Sequence, residues 1–307
     1  MTFQSSTAQK AYVAIDLGAE SGRVIVGHHD GVKLQLESLH RFGHTPLQFP
    51  TGLHWNLTGL WSGILEGLQK AAQWSRDQNV PLVSLGVDAW GVDFGLIGSG
   101  GELLGLPHCY RDPAHDQAFN RLMQNPGKDA IYGATGIQLL GLNTLFQVAA
   151  RHASAPQLID RAESLLFMPD LFHYFFTGVR TVEETIASTS QMTDARTGAW
   201  ATELLEQIGL PTHLLTEQIS SGSVVGELNR CVVVGNLQRL GLPLSMSCRE
   251  AKQQDGQRPR KHGSMPSLNP HELLSLLPYY ESRSATRSWK LEEQQVVSRQ
   301  ARPRPIP

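Results

Sequence analysis

The sequence predicts an α/β domain built on a mixed sheet, and three features support that class. Short apolar runs open the chain, a long amphipathic segment follows at Leu57–Gln78, and more apolar runs come after it. This order of strands, a crossover helix and further strands is typical of a sheet covered by helices. The composition fits a globular protein, since 40% of the 307 residues are hydrophobic and 18% are charged.

Three strands are predicted at the start of the chain, at Tyr12–Leu17, Arg23–His29 and Lys33–Phe42. The small-residue segment Gly18–Gly22 separates the first two strands. Asp30-Gly31 separates the second from the third, and Asp-Gly between apolar runs is the strongest short hairpin signal. We therefore expect the chain to open with an antiparallel meander.

Helical periodicity predicts one long helix over Leu57–Gln78, because its apolar residues recur on one face. These residues are Leu60, Ile64, Leu68 and Ala71. The near-continuous apolar run of Val80–Asp88 predicts a central, buried strand, and Phe94–Ile97 predicts the strand after it.

The rest of the domain is predicted to be mainly helical. Asn125-Pro126 resembles an N-cap followed by proline at the first helical position, and it predicts a helix through Tyr132. The remaining predicted elements are helices at Thr144–His152, Pro156–Arg161, Asp170–Phe176 and Trp200–Ile208 and a short strand at Leu165–Phe167.

Charge divides the chain near Leu228. Residues 1–228 carry 13 Lys and Arg against 22 Asp and Glu, whereas residues 229–307 carry 13 against 6. The second part is also rich in Arg, Gln, Ser and Pro, a composition that buries little core. We expect a folded domain at 11–228 and an unrelated, disordered tail at 229–307. A basic tail also suits nucleic-acid contact, although the favoured interpretation has no nucleic-acid or membrane partner.

The sequence favours a cytoplasmic location. It contains no run of about 18 uncharged apolar residues, so no membrane span is predicted. Met1–Lys10 lacks the apolar stretch of a signal peptide. Cys109, Cys231 and Cys248 are too few and too scattered for a disulfide scaffold or a CxxC zinc site.

The first candidate site is the segment Asp16–Arg23, where a strand ends in Asp and a small-residue turn precedes a second strand. Small residues let backbone N–H groups approach phosphate oxygens, and Asp16 suits the orientation of a magnesium-bound water. The segment is not a P-loop, because GxxxxGKS is absent, nor a dinucleotide-binding fingerprint, because a strand follows the turn. An ordinary hairpin with Asp in its turn is an equal alternative.

The second candidate site is Val87–Phe94, where Asp88 and Asp93 flank Trp90-Gly91 at the end of a predicted strand. A Trp face beside carboxylates is a common way to hold a sugar, and Gly91 permits close backbone approach. In the alternative interpretation, Trp90 is a core aromatic residue and both aspartates cap turns.

The third candidate site is Cys109–Pro113. Its Arg111 and Asp112 suit the binding of sugar hydroxyls. A solvated turn, in which these two side chains pair with each other, is an equal alternative.

Five stretches, taken together and in order, resemble the FGGY carbohydrate kinases and, within that family, the rhamnulokinases. They are AIDLGAESGR (14–23), SLGVDAWGVDFGLI (84–97), GLPHCYRD (105–112), TGIQLLGLNTLFQV (135–148) and LLFMPDLFHYFFTG (165–178). The resemblance spans about residues 11–228.

The resemblance implies a ribonuclease-H-like domain of the actin and hexokinase type. It also implies ATP and Mg²⁺ as cofactors and phosphorylation of the 1-hydroxyl of L-rhamnulose in rhamnose catabolism. Asp16 is expected to support the magnesium. The residues expected in the ATP-phosphate loop are Ala19, Glu20, Ser21, Gly22 and Arg23.

The resemblance also implies a sugar site. Gly91 matches the family's sugar contact. The other expected substrate-binding residues are Trp90, Asp93, Tyr110, Arg111 and Asp112.

The sequence departs from the family after Leu228. The family's His-Asp-Thr-Ala-Ser-like segment, whose Asp takes the proton from the sugar hydroxyl, does not occur in the 307 residues, so the catalytic base stays unassigned. A frameshift or premature stop in the gene would explain this departure, and a divergent extension is the alternative. We expect no turnover by this chain alone. The alternative functions are a non-catalytic sugar- or nucleotide-binding fragment, another sugar kinase of the family, or an interaction protein that uses its basic tail on nucleic acid.

Overall fold

The computed structural model describes residues 9–29 and 32–229. The Asp30-Gly31 turn and the predicted tail beyond Asn229 therefore lie outside the described residues. The strands within the described ranges are β1 Lys10–Leu17, β2 Ser21–His29, β3 Leu34–Gly43, β4 Leu47–Phe49, β5 Gly52–His54, β6 Leu82–Ala89, β7 Phe94–Gly98, β8 Ala162–Phe167, β9 Val182–Glu183 and β10 Gln218–Ile219.

Helices fill most of the sequence between and after these strands. They are α1 Leu57–Gln78, α2 His115–Leu122, α3 Lys128–Thr135, α4 Thr144–Ser154, α5 Pro156–Arg161, α6 Met168–Thr177, α7 Glu184–Ser188 and α8 Thr202–Gln207. The segment Met123–Gly127 between α2 and α3 contains a kink with non-helical backbone at Asn125. In the part of the chain that the structure describes, no helix is both long and apolar enough to cross a membrane.

The main sheet has four strands in the order β3-β2-β1-β6. β1 pairs with β2, and β2 with β3, in antiparallel register, whereas β1 and β6 run parallel. The predicted opening meander and mixed sheet are therefore confirmed. A parallel pair needs a crossover connection, and α1 supplies it. β7 pairs with β8 in a separate antiparallel ribbon.

Helix α1 begins and ends at the residues that the periodicity predicts. The side-chain Oδ1 of Asn56 accepts a hydrogen bond from the Gly59 N–H at 3.0 Å, which satisfies one of the free donors of the first turn. At the other end, Asn79 adopts the left-handed conformation with φ of 55°. A Cβ on Gly67 would lie 2.2 Å from Val24, so this glycine lets the helix pack closely on β2.

The prediction of a central strand at Val80–Asp88 is wrong. β6 is the outer strand of the described sheet, and Ser84, Gly86 and Asp88 are exposed on one of its faces. The apolar residues that suggested full burial, such as Leu85, are only partly buried against the core.

His173 of α6 contacts the outer strand. The N–H of Val87 donates to Nε2 of His173 at 3.1 Å. The imidazole thus accepts the kind of hydrogen bond that a neighbouring strand would accept from β6. Burial lowers the pKa of His173 to about 4, which keeps Nε2 available as an acceptor at neutral pH.

The predicted N-cap at Asn125 is also wrong. Asn125 has φ of −145° and ψ of 113°, so its backbone is extended, and the Asn125–Pro126 peptide bond is cis. α3 begins at Lys128, after Gly127, whose φ of 97° suits glycine. Proline at this position therefore lies before the helix and not in its first turn.

Candidate functional site

The connection between β1 and β2, which we call the phosphate turn (Gly18–Gly22) after the role that the sequence predicts for it, is closed by a backbone hydrogen bond. The N–H of Gly18 donates to the carbonyl of Ser21 at 2.9 Å. Within the described ranges, the N–H groups of Ala19 and Glu20 donate no hydrogen bond. Two neighbouring free N–H groups on a tight turn form the kind of surface that accepts anions, including phosphate.

Asp16 and Arg23 face each other across β1 and β2, where they are register partners. The Nε of Arg23 donates to Oδ2 of Asp16 at 3.0 Å, and Nη2 of the same guanidinium donates to the same oxygen. The pair is about one quarter to one third exposed. Arg23 therefore occupies one oxygen of the carboxylate for which the sequence suggested a metal-supporting role.

Asp88 lies beside Asp16 in the parallel register of β1 and β6. The pKa of Asp88 is raised above its ordinary value, first by desolvation and then by the negative charge of Asp16. Among the described residues, no group of three or more His, Cys, Asp or Glu side chains has the arrangement of a metal site. An ion at this edge would therefore need oxygen ligands from water or from a bound phosphate.

Asp93 is completely buried and lies just before β7. Its Oδ2 accepts hydrogen bonds from the indole N–H of Trp55 at 2.6 Å and of Trp90 at 3.0 Å, and from the backbone N–H of Tyr110 at 3.2 Å. Its Oδ1 accepts from Nε2 of Gln147 at 2.8 Å.

The burial of Asp93 raises the pKa of its carboxyl to about 6, although all four donors act in the opposite direction. Both carboxylate oxygens are engaged inside the protein, so the arrangement holds two indole rings and a backbone segment in place.

The two tryptophans belong to an aromatic cluster that consists of His44, Trp55, Trp90 and Tyr110. The ring centroids of Trp55 and Trp90 are 4.2 Å apart, and those of His44 and Trp90 are 5.4 Å apart in a stacked arrangement. Trp55 is fully buried, whereas Trp90 and Tyr110 are partly exposed. The exposed guanidinium of Arg111 lies over the Tyr110 ring, 5.2 Å from its centroid.

Gly91 contacts a protein side chain. A Cβ on Gly91 would lie 3.0 Å from Oγ1 of Thr189, and the neighbouring Val92 N–H donates to the same hydroxyl at 3.3 Å. The close approach that the sequence predicted for this glycine is therefore made, at least in part, by Thr189.

Asp112 is buried, and its oxygens accept the backbone N–H groups of Leu53 at 2.7 Å and Ala114 at 2.9 Å. Burial acts to raise the pKa of Asp112, but the Ala114 and Leu53 donors outweigh it, and the pKa falls below its usual range. Nδ1 of His108 lies 3.4 Å away. Asp112 therefore connects β5 to the segment that leads into α2, and Arg111 is the exposed polar group beside it.

Three members of this site were not predicted: His44, Trp55 and Gln147. Each is separated along the chain from the residues it contacts. Trp55 is 38 positions and Gln147 is 54 positions from Asp93. No pattern of neighbouring residues predicts such contacts, although Trp55 lies just before α1 and Gln147 lies in the first turns of α4.

Comparison with known proteins identifies the family. Residues 11–243 match the FGGY family of carbohydrate kinases, N-terminal domain. A rhamnulokinase from Pectobacterium atrosepticum is 40% identical over 222 residues, and one from Oceanobacillus iheyensis is 35% identical over 220 residues. The matches cover 71% and 72% of this chain but 44% and 46% of those relatives. The chain thus spans less than half the length of the curated relatives it matches.

Solved structures confirm the fold class. A gluconate kinase from Lactobacillus acidophilus superposes with a TM-score of 0.65 at 13% identity, covering 77% of this chain and 46% of that one. Plasmodium falciparum glycerol kinase with ADP superposes with a TM-score of 0.64 at 14% identity, covering 75% and 47%. The predicted ribonuclease-H-like α/β fold is the fold that these kinases share.

Proposed function

Because the chain belongs to the FGGY family of carbohydrate kinases, we propose that residues 11–228 form the sugar- and phosphate-binding domain of an L-rhamnulose kinase. The reaction is transfer of a phosphoryl group from ATP to the 1-hydroxyl of the sugar. The observation that carries the proposal is the 40% identity to a rhamnulokinase. These residues account for the part of the reaction that binds sugar and positions the transferred phosphate.

At one end of the proposed site, the phosphate turn binds the phosphates of ATP. The free N–H groups of Ala19 and Glu20 support this assignment. Arg23 adds positive charge next to the turn, and Asp16 supports Mg²⁺ through a bound water. ATP supplies the phosphoryl group when it is bound. Phosphoryl transfer depends mainly on positioning and charge stabilisation, which is the chemistry that such a turn offers.

At the other end, the sugar binds against Trp90 and Gly91, with Tyr110 and Arg111 beside it. Trp90 and Tyr110 are the partly exposed rings of the aromatic cluster, and an aromatic ring packs well on the C–H face of a sugar. Asp93 and Asp112 hold the residues of this surface in position and do not contact the sugar, because protein donors already engage their carboxylates.

Isothermal titration of the 307-residue chain tests the sugar site. We expect L-rhamnulose to bind more tightly than D-xylulose or glycerol. Trp90→Leu should weaken L-rhamnulose binding about tenfold, or about 1.4 kcal/mol. The matched control is Trp200→Leu, because Trp200 packs on Phe167 and donates to the Thr216 carbonyl. Preference for D-xylulose would indicate a different sugar kinase of the family, and absence of binding to all three sugars would contradict the proposal.

A coupled assay for ADP release tests turnover separately. We expect the 307-residue chain to bind sugar without L-rhamnulose-dependent ADP release, because its sequence contains no His-Asp-Thr-Ala-Ser-like segment. Loss of a positioned general base alone costs about 10²–10⁴-fold in rate. Robust turnover would show that the base lies elsewhere in these residues.

A further inference from the structure

His44 is held to the phosphate turn by two hydrogen bonds. Its backbone N–H donates to the carbonyl of Glu20 at 3.1 Å. Its ring Nε2 lies 2.8 Å from the carbonyl oxygen of Gly18. A carbonyl only accepts, so Nε2 carries the hydrogen in this contact.

The same imidazole contacts the aromatic cluster on its other side. It stacks on Trp90 with an interplanar angle of 28° and meets Trp55 edge-on, with centroids 5.5 Å apart. Trp90 is in turn held by Asp93. One rigid ring therefore lies between the turn proposed for phosphate and the tryptophan proposed for sugar.

The remaining ring nitrogen indicates a neutral imidazole. Nδ1 of His44 is buried and has no hydrogen-bond partner within the described residues. A proton added there would have no acceptor. Burial lowers the pKa of His44, although the Gly18 carbonyl and the Glu20 carboxylate act to raise it. Near neutral pH, His44 thus donates one hydrogen bond and stacks as an uncharged ring.

We propose that His44 is a positioning residue that couples the phosphate turn to the aromatic cluster, so that phosphate bound at the turn and sugar bound at Trp90 affect each other's affinity. The assignment of the two ligands rests on the proposed function, whereas the coupling rests on the contacts of His44. Phosphoryl transfer requires the acceptor hydroxyl and the phosphate to be held within close limits, and a rigid two-sided contact meets that requirement.

Two substitutions separate the two sides of the contact. His44→Gln keeps an N–H that can reach the Gly18 carbonyl but removes the ring. His44→Phe keeps a ring that can stack on Trp90 but removes the donor. His213→Gln is the matched control, because His213 is exposed.

The ligand test uses isothermal titration of the full 307-residue chain with magnesium tripolyphosphate and L-rhamnulose, each alone and in the presence of the other. We expect each ligand to change the affinity of the other about fivefold, the lower end of typical coupling between sites. Both His44 variants should reduce that factor to less than twofold, and His213→Gln should not. Absence of coupling in the unmodified chain, or unchanged coupling in both variants, would overturn the proposal.

A ligand-free test separates this proposal from the proposed function. Hydrogen exchange measured by NMR should be several-fold faster at the hydrogen-bonded Gly18 amide of His44→Phe and at the Trp90 indole N–H of His44→Gln. A general loss of structure would accelerate exchange at both places in both variants, and that result would overturn the coupling role. If the chain binds neither ligand, the proposed function fails, and the crossed exchange pattern alone then decides whether His44 connects the two regions.

Discussion

The phosphate turn and the surroundings of Asp93 both lie at strand ends, but they leave different groups free for a ligand. At the turn, the N–H groups of Ala19 and Glu20 have no hydrogen-bond acceptor in the described part of the chain. At Asp93, two indoles, a backbone N–H and a side-chain amide occupy both oxygens of a fully buried carboxylate. The comparison teaches that an acidic residue in a motif can hold neighbouring side chains in place while its own oxygens are engaged inside the protein.

The largest expected effect is the loss of Asp93. Asp93→Ala leaves the indole N–H groups of Trp55 and Trp90 and the Tyr110 N–H without this acceptor, whereas Gln147 keeps the Leu142 and Val92 carbonyls. We therefore expect a loss of about 3–5 kcal/mol in the free energy of unfolding. Urea denaturation monitored by tryptophan fluorescence measures it. Asp160→Ala is the control, because Asp160 is exposed, and it should cost far less. Equal losses in the two variants would remove the distinction between a buried, engaged carboxylate and an open one.

A pH test sharpens the comparison by adding Asp170, a buried aspartate with fewer donors. Its Oδ1 accepts from the Glu183 N–H at 3.1 Å, while Oδ2 has no partner among the described residues. Burial raises the pKa of Asp170 to about 8, and that of Asp93 only to about 6. The additional donors at Asp93, together with the negative charge of Glu183 beside Asp170, account for the difference.

The direction of the pH effect follows from proton binding. Between the unfolded pKa near 4 and the folded pKa near 8, the native state holds a proton at Asp170 that the unfolded state has lost, so stability falls as pH rises. The Asp170→Asn side chain stays neutral at every pH. We therefore expect the free energy of unfolding of this variant to fall by roughly 2 kcal/mol less between pH 6 and pH 8 than that of the unmodified chain. Parallel stability curves for the two proteins would contradict the assignment.

A smaller effect is expected at Gly22, at the end of the phosphate turn. A Cβ there would lie 2.4 Å from the Phe42 ring, and that ring is also held against Gly63, where a Cβ would meet it at 2.4 Å. We expect Gly22→Ala to cost about 1–2 kcal/mol in thermal or urea unfolding through overpacking. Gly86→Ala is the matched control, because nothing lies within 4 Å of a Cβ at that exposed strand position.

The smallest effect is expected at the Asp16–Arg23 pair. Both side chains are partly solvated, so the ion pair adds about 1 kcal/mol or less. Asp16→Asn should therefore change the unfolding midpoint little while it weakens the binding of magnesium tripolyphosphate. A loss of stability as large as that of Asp93→Ala would show that Asp16, like Asp93, holds surrounding groups in place in the fold.

Much of the fold was predictable because its signals are local. α1 begins and ends where its apolar periodicity indicates, and β1 to β3 follow the predicted opening meander. β6 was misplaced, because an apolar run determines neither how fully its side chains are buried nor where the strand lies within a sheet. The extended backbone at Asn125 was also missed. A proline near the start of a helix fits its first turn and also fits the segment before it, so the dipeptide alone does not distinguish the two.

The sequence by itself determined the longest elements, such as α1 and the strands β1 to β3, and it indicated the candidate segments, because periodicity and turn residues act over a few neighbouring positions. Only the tertiary structure decided which groups those candidate residues contact. Asp93 takes its donors from Trp55, Tyr110 and Gln147, which lie 38, 17 and 54 positions away. His44 joins Gly18, 26 positions back, to Trp90, on a later strand end. Contacts of that range depend on how the elements pack, so burial and hydrogen bonding decide which groups remain free to meet a ligand.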